Sequence, residues 1–242
     1  MCQDGGMAPR TRRSERRTEA LSRERIVEAA VELLDTAGEA GLTFRALTER
    51  LATGPGAIYW HVANRGELLA VATDGVVTAA LAVEPAESGS SPQDEIRAVA
   101  LGLFDAIEKH PWLATQLSTQ LSRTPWGSVT PRILERVGRQ IHALGVPEVS
   151  WFTATSALVH YILGAAGQNA ANHASARTLG PDADRAGFLD AVSSAWEKLD
   201  PDEYPFAHAV AGRLRDHDDR EQFLAGVDLI LTGITTTHPP TT

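Results

Sequence analysis

Apolar residues recur at three- and four-residue intervals along most of the chain, and no stretch sustains the two-residue alternation of a half-buried strand. The pattern predicts an all-α fold. Ile26, Ala30, Leu33, Leu34 and Ala37 line one face of a first helix that opens at Ser22, a suitable N-cap, and ends at Gly38 and Gly41. Thr43 is placed to cap a second helix, in which Leu47 and Leu51 lie four apart and face inward. Ala52-Thr53-Gly54 then turns the chain, and Pro55 stands at the first position of a third helix, where its missing donor costs nothing. Asn64 caps a fourth helix, Glu67 completes an N-x-x-E box, and the helix runs to about Val83.

Pro85 to Pro92 (PAESGSSP) has linker composition. It divides residues 1–20, a flexible basic arm, and 21–84, a small helical head, from a larger helical body over 85–242. Seven further helices are expected at roughly 93–109, 112–121, 130–144, 148–173, 184–199, 203–214 and 220–235. The last carries Phe223, Val227, Ile230, Leu231 and Ile234 on one stripe, with Asp219 as its cap and Gln222 completing a box.

The third helix has unusual chemistry. Ile58 and Val62 are four apart and face the core, so a step of about 100° per residue places Gly56 and Trp60 outermost. Ala57 lies close to them, and Tyr59 and His61 flank them. Small residues let a backbone approach another surface, and polar aromatics stack and hydrogen-bond. That combination on a short exposed helix suits the major groove of DNA.

Net charge is −9, which by itself argues against a polyanion partner. Its distribution reverses the argument. Residues 1–66 hold 10 Lys/Arg against 9 Asp/Glu, leaving 12 against 22 for the remainder. Five of those cations, Arg10, Arg12, Arg13, Arg16 and Arg17, lie in the arm, which reads equally as a phosphate or minor-groove contact and as a solubilising tail interrupted by Glu15 and Glu19. The one cysteine, Cys2, permits no intramolecular disulfide, and residues 1–20 lack the apolar core of a signal peptide, so a cytoplasmic location is expected. Val149 to Ala176 contains no charged residue, but its histidines, asparagines and hydroxyls favour a buried helix over a membrane span, and no membrane partner is expected.

LTFRAL, PGAIYWHV and NRGELL, in that order and spacing over residues 22–84, resemble the tetracycline-repressor (TetR) family of bacterial transcriptional regulators. The resemblance implies a helix-turn-helix DNA-binding domain joined to a ligand-binding and dimerisation domain. It implies a homodimer that reads a palindromic double-stranded operator, mostly as a repressor, and leaves it when an effector, of unknown identity here, enters the body. Carried over by position, Phe44 and Arg45 open the helix that contacts phosphate and sometimes a base. Pro55, Gly56 and Ala57 meet base edges, Tyr59, Trp60 and His61 meet phosphates and thymine methyls, and Arg65 meets a phosphate. The sequence departs from the family at three points. Ala52 replaces a turn glycine, which requires a negative φ there; Gly54 replaces a stronger cap; Gly66 replaces a charged residue. A helical dimeric interaction module with a weakened DNA-binding surface is the alternative these departures raise.

The helices near 148–173 and 220–235 are the expected dimer contact, with Ala157, Gly164, Ala165, Ala166 and Gly167 allowing close approach. Trp112, Gln116, Gln120, Trp126, His160, Gln168, Asn169 and His173 are candidates for an apolar cavity with polar hooks. The tetracycline binders of the family carry a histidine late in the fourth helix, and TDGVVTAALAV has none, so tetracycline is not the expected ligand. Asp216-His217-Asp218-Asp219 reads as a solvated loop, since Asp219 is needed as a cap, and the eight histidines show no metal-ligand spacing. No phosphate loop, nucleophile elbow or acid–base pair is visible, so neither enzymatic activity, cofactor nor metal is expected.

Overall fold

The computed structural model describes residues 21–82, 90–178 and 185–239, with side chains of 176–178 excepted. The basic arm and most of the 85–92 linker lie outside them. The described residues form eleven α-helices and one 3₁₀ turn, with no strand. The head comprises α1 (Arg23–Gly41), α2 (Phe44–Leu51), α3 (Pro55–Tyr59) and the start of α4 (Arg65–Leu81). The body follows with α5 (Pro92–Lys109), α6 (Trp112–Arg123), α7 (Val129–Ala143), α8 (Glu148–Thr178), α9 (Arg185–Trp196), α10 (Pro205–Val210) and α11 (Asp219–Thr237).

Local signals set most helix starts. Ser22, Thr43 and Asn64 each accept a hydrogen bond from the backbone N–H three residues on, at 3.3, 3.1 and 2.9 Å. Glu67 reaches back past Asn64 to the Ala63 N–H at 2.8 Å, so the box is displaced by one residue. Ser91 and Asp94 form a complete capping box on α5, with Pro92 at its first turn. These bonds also hold the Asp94 carboxyl below its ordinary range.

Helix α1 breaks at Gly38, where φ is 63°, and ends at Gly41, the two glycines that the sequence marks. The structure corrects three other helix expectations. Ala37 is exposed rather than core. The helix expected at 203–214 divides into α10 and a 3₁₀ turn at Ala211–Leu214. The cap of α11 is Asp218, which accepts from the Glu221 N–H at 2.7 Å, and Asp219 becomes the first helical residue.

One continuous apolar core joins head and body. Ile26, Ala30, Leu34, Leu47, Ile58, Val62 and Leu68 close the head, and Val77 and Leu81 carry α4 into the body beside Ile96, Leu103, Val137, Leu158 and Ile162. Helix α8 packs on α5, α7 and α11, while α9 packs on the 3₁₀ turn. Residues 148–175 are long and apolar enough to cross a membrane by length and composition, with a third of that stretch buried in the subunit. At the α8–α11 crossing, Tyr161 donates to the Phe223 carbonyl at 3.1 Å, and only a glycine at 226 admits its ring.

Candidate nucleic-acid interface and body cavities

Helix α3 is five residues long and is held by what lies beneath it. Ile58 and Val62 are fully buried, and Pro55 supplies a first turn that needs no donor. Gly54 gives no side-chain cap, and the Ala57 N–H is taken by the Gly54 carbonyl at 3.2 Å. Pro55, Gly56 and Ala57 are all exposed, and Trp60 is 87% exposed, in agreement with the helical geometry read from the sequence. His61 is half-buried on the flank. Tyr59 does not stand free. Its ring stacks on Phe44 at 4.4 Å and 11°, so the pair braces α3 against α2 and leaves the Tyr59 edge at the surface.

Two arginines flank this face. Arg45 donates to Glu49 on its own helix at 2.9 Å, and both side chains are exposed. A surface pair of that kind contributes under about 1 kcal/mol, so Arg45 can exchange its carboxylate for a phosphate. Arg65 already has a second task. Its guanidinium donates to the Leu42 carbonyl at 3.1 Å and to the Glu39 carbonyl, satisfying acceptors left by the end of α1. Arg65, of which the sequence predicts a phosphate contact, thus ties α4 to the end of α1.

The turn between α2 and α3 departs from expectation. Ala52 adopts φ 48° and ψ 45°, the left-handed region, and its N–H bonds the Glu49 and Thr48 carbonyls at the end of α2. A Cβ there costs on the order of 1 kcal/mol, which a glycine avoids.

Head and body are fastened together. Asp35 of α1 accepts from the Trp112 indole at 2.8 Å and pairs with His110 Nδ1 at 2.7 Å, while Gln116 donates to Glu39 at 2.6 Å. His110, at the end of α5, and Trp112 and Gln116 of α6 thus grip the last turns of α1.

The eight residues expected to share one cavity do not do so. Trp112 is consumed by the grip on Asp35. Gln116, Gln120 and Trp126 line a cleft of about 560 Å³ between α6 and the head, beside Gly66 and Glu39. Gln168 and Asn169 line one of about 400 Å³ between α8 and α11. His173 joins a polar cluster around Asp219, and only His160 lines the cavity of about 510 Å³ between α6, α7 and α8. The residues are near one another in kind but not in space, because helix packing decides which side of each helix faces a void.

The Asp219 cluster is the other surprise of this region. The carboxylate, 17% exposed, accepts two bonds from Arg185 at 2.8 and 2.6 Å and pairs with His173 at 3.3 Å and His217 at 3.0 Å. With its amide nitrogen turned toward the carboxylate, Asn169 donates as well. Burial pushes the Asp219 carboxyl up, but the bonds and charge of Arg185, with the histidines, outweigh it and hold the group below its ordinary range. Within loop 216–219, Asp216 and Asp218 are exposed, as expected of a solvated loop, while His217 and Asp219 turn inward to the cluster. No group of three or more His, Cys, Asp or Glu among the described residues is arranged to hold a metal.

Sequence reasoning missed Ser118, Thr130, Phe152 and Leu163, which line the 510 Å³ cavity. Phe152 had a usable signal, as a large aromatic on the uncharged helix; a buried Thr130 has none.

Residues 26–72 match the model of bacterial regulatory proteins of the tetR family, and residues 84–238 match that of the tetracyclin repressor-like C-terminal domain. An HTH-type transcriptional regulator of Saccharopolyspora erythraea is 30% identical over 219 residues, covering 90% of this chain and 86% of that one. The HTH-type transcriptional repressor DrrR1 of Streptomyces coeruleorubidus is 31% identical over 147 residues, covering 60% and 53%. The solved structure of the transcriptional regulator SCO7222, a TetR from Streptomyces coelicolor, is 69% identical, with a TM-score of 0.81 over 90% of this chain and 99% of that one. The chain belongs to the tetracycline-repressor family of transcriptional regulators.

Proposed function

We propose that this regulator is a cytoplasmic homodimeric repressor that holds a palindromic operator through α3 and releases it when a small molecule occupies the helical body. The observation that carries the reading is the outward face of α3. Its small residues and bare indole have no structural duty, while Ile58 and Val62 anchor the helix from behind. Phe44, Arg45, Pro55, Gly56, Ala57, Tyr59, Trp60, His61 and Arg65 compose the DNA-facing surface on this reading. Base readout leans on Arg45, on apolar contact with thymine and on DNA shape, since Gly56 and Ala57 offer no side-chain donors. The head over 21–84 and the body over 85–242 act as the two functional units.

The dimer contact follows from α8 and α11. Val149, Phe152 and Thr153, Ala157, His160, Gly164 and Gln168 form an exposed, uncharged stripe along α8, and Leu229 stands exposed on α11. An apolar helix with so long an exposed stripe is covered by a second copy without a membrane. Paired heads then sit about 34–36 Å apart for successive major grooves. The repressor sense is supported by DrrR1, a repressor by name, among the relatives. The grip of α6 on α1 offers a route by which an occupant beside α6 shifts the heads.

A mobility shift with the DNA flanking the protein's own gene tests the reading. Wild type is expected to form one salt-sensitive complex, and Trp60→Ala to lose it at equal stability. Equal, weak and sequence-indifferent binding by both would instead favour an interaction module whose DNA surface has decayed.

A further inference from the structure

A groove of about 750 Å³ runs along the head between α1 and α4 and ends against Lys109 and His110. Its floor is apolar, with Val27, Val31, Val71 and Val76 half-buried there. Its rims are acidic. Glu24, Glu28, Glu32, Asp35 and Asp74 line it against only two full cations, Arg23 and Lys109. The subunit answers part of that charge. Asp35 pairs with His110, Glu32 with Arg50, and Asp74 with Arg132 at 3.2 Å, while Arg23 is drawn to Glu67 at 3.8 Å. Glu24 and Glu28, at the end where α1 begins, stand exposed and have no ion pair among the described residues.

Such a groove fits a segment rich in guanidinium groups, whose methylenes cover the valines while their heads meet the carboxylates. The protein carries one directly beside it. PRTRRSERR, residues 9–17, holds five arginines and one glutamate, and it leads into the end of α1 where Glu24 and Glu28 stand. The lengths agree. From Glu24 to Asp35 a helix rises about 16 Å, and an extended chain covers about 3.3 Å per residue. Residues 10–17 therefore overspan the groove, and Thr18 to Leu21 supply the four residues of a reversing turn. Other occupants fit worse. DNA would bring phosphates against carboxylates, and a second copy would bring a body with 22 Asp/Glu against 12 Lys/Arg.

We propose that the arm folds back along α1 and clasps this groove, with Arg16 and Arg17 at Glu24 and Glu28, so that the free protein withholds its arginines from DNA. The withholding rests on the DNA-binding reading above, and the clasp does not.

Brief digestion of the full chain with trypsin, without DNA, tests the clasp. Cleavage after Arg10 to Arg17 is followed by mass spectrometry, with a synthetic peptide of residues 1–20 as the unprotected standard. The arm is expected to be cut roughly tenfold more slowly than the peptide, because cleavage tracks the undocked population. Salt at about 0.5 M should remove the protection, measured against the peptide in the same buffer. Glu24→Gln with Glu28→Gln should bring the arm to the peptide's rate. So should Ala79→Trp, which fills the groove from an exposed position without changing its charge. Unchanged circular dichroism confirms the fold of each. An arm cut at the peptide's rate in wild type, or protection that survives both sets of substitutions, would overturn the clasp. Protection that grows with protein concentration would place the arm on another molecule and overturn it as well.

Affinity for the DNA flanking the protein's own gene, at low salt, tests the withholding. Ala79→Trp is expected to bind roughly three- to tenfold tighter than wild type, the size of one or two released surface pairs. That gain should vanish when Arg12→Gln and Arg13→Gln are added, which a general effect of the groove on DNA would not do. Unchanged affinity in a variant whose arm is freed would overturn the withholding while leaving the DNA reading intact. A protected arm on a chain that binds no duplex would instead sink the DNA reading and leave the clasp standing.

Discussion

On and just after α3, Gly56, Ala57 and Trp60 stand exposed on a backbone whose core contacts are complete without them, whereas at the corner between α8, α9 and α11 a single carboxylate draws in Arg185, His173 and His217. Trp60 touches little and can be removed without opening a void. Asp219 answers Arg185, His173 and His217, and removing it leaves a half-buried guanidinium without its counter-charge. The contrast teaches where to look for function in this fold. Side chains that bear no weight in the subunit are free for a partner, while those that converge inward are fixed by the subunit itself.

The contrast can be broken or sharpened by four changes. Trp60→Ala is expected to lower operator affinity about 10- to 100-fold, within the range of a lost base contact of about 1–3 kcal/mol, while the midpoint of thermal unfolding stays put. A drop in that midpoint comparable to other core losses would show that the indole has a structural role after all.

Asp219→Asn is expected to do the reverse: about 2 kcal/mol of stability lost at neutral pH, in denaturant titrations, with the isolated effect on DNA small. Acid titration sharpens this. The folded-state carboxyl lies below its ordinary value, so its contribution is present above the unfolded pKa of about 3.9 and disappears as pH falls through the lower folded value. Wild type should therefore lose part of its stability below about pH 4, and the variant should lose less there. Equal acid sensitivity would mean that the cluster contributes little.

Arg65 stands between the two regimes, since it caps α1 and faces the proposed phosphate. Arg65→Ala should reduce the slope of log affinity against log salt by about one and cost about 1 kcal/mol in the head. Arg65→Lys should keep the salt slope and lose the stability, which separates charge from cap. An unchanged slope in the alanine variant would remove Arg65 from the DNA surface.

Ala52→Gly should give the smallest effect and an opposite sign, a gain of about 0.5–1 kcal/mol, because left-handed backbone suits glycine while the unfolded chain regains some freedom. A loss of stability would contradict the left-handed turn.

The head was legible in the sequence because its signals are local. Ser22, Thr43 and Asn64 cap the residues directly following them, and the Ile58–Val62 spacing alone orients Trp60. Ala52 was not, since an alanine gives no hint that the turn needs positive φ. The run DDREQ held two equivalent boxes, Asp218 to Glu221 and Asp219 to Gln222. An ion pair to Arg185, 34 residues earlier, coincides with the choice of the first. The cavity residues failed for the same reason. Gln116 and His160 look alike as polar interruptions of apolar helices, yet one answers Glu39 and the other faces a void.

Selection of duplexes from random DNA by the full chain, followed by affinity measurement with Trp60→Ala, tests the claim about α3 most directly. The expected result is a two-fold symmetric sequence with half-sites centred one turn of DNA apart, from which the variant is largely lost. Enrichment of no sequence, or an enriched duplex that wild type and Trp60→Ala bind alike, would contradict it.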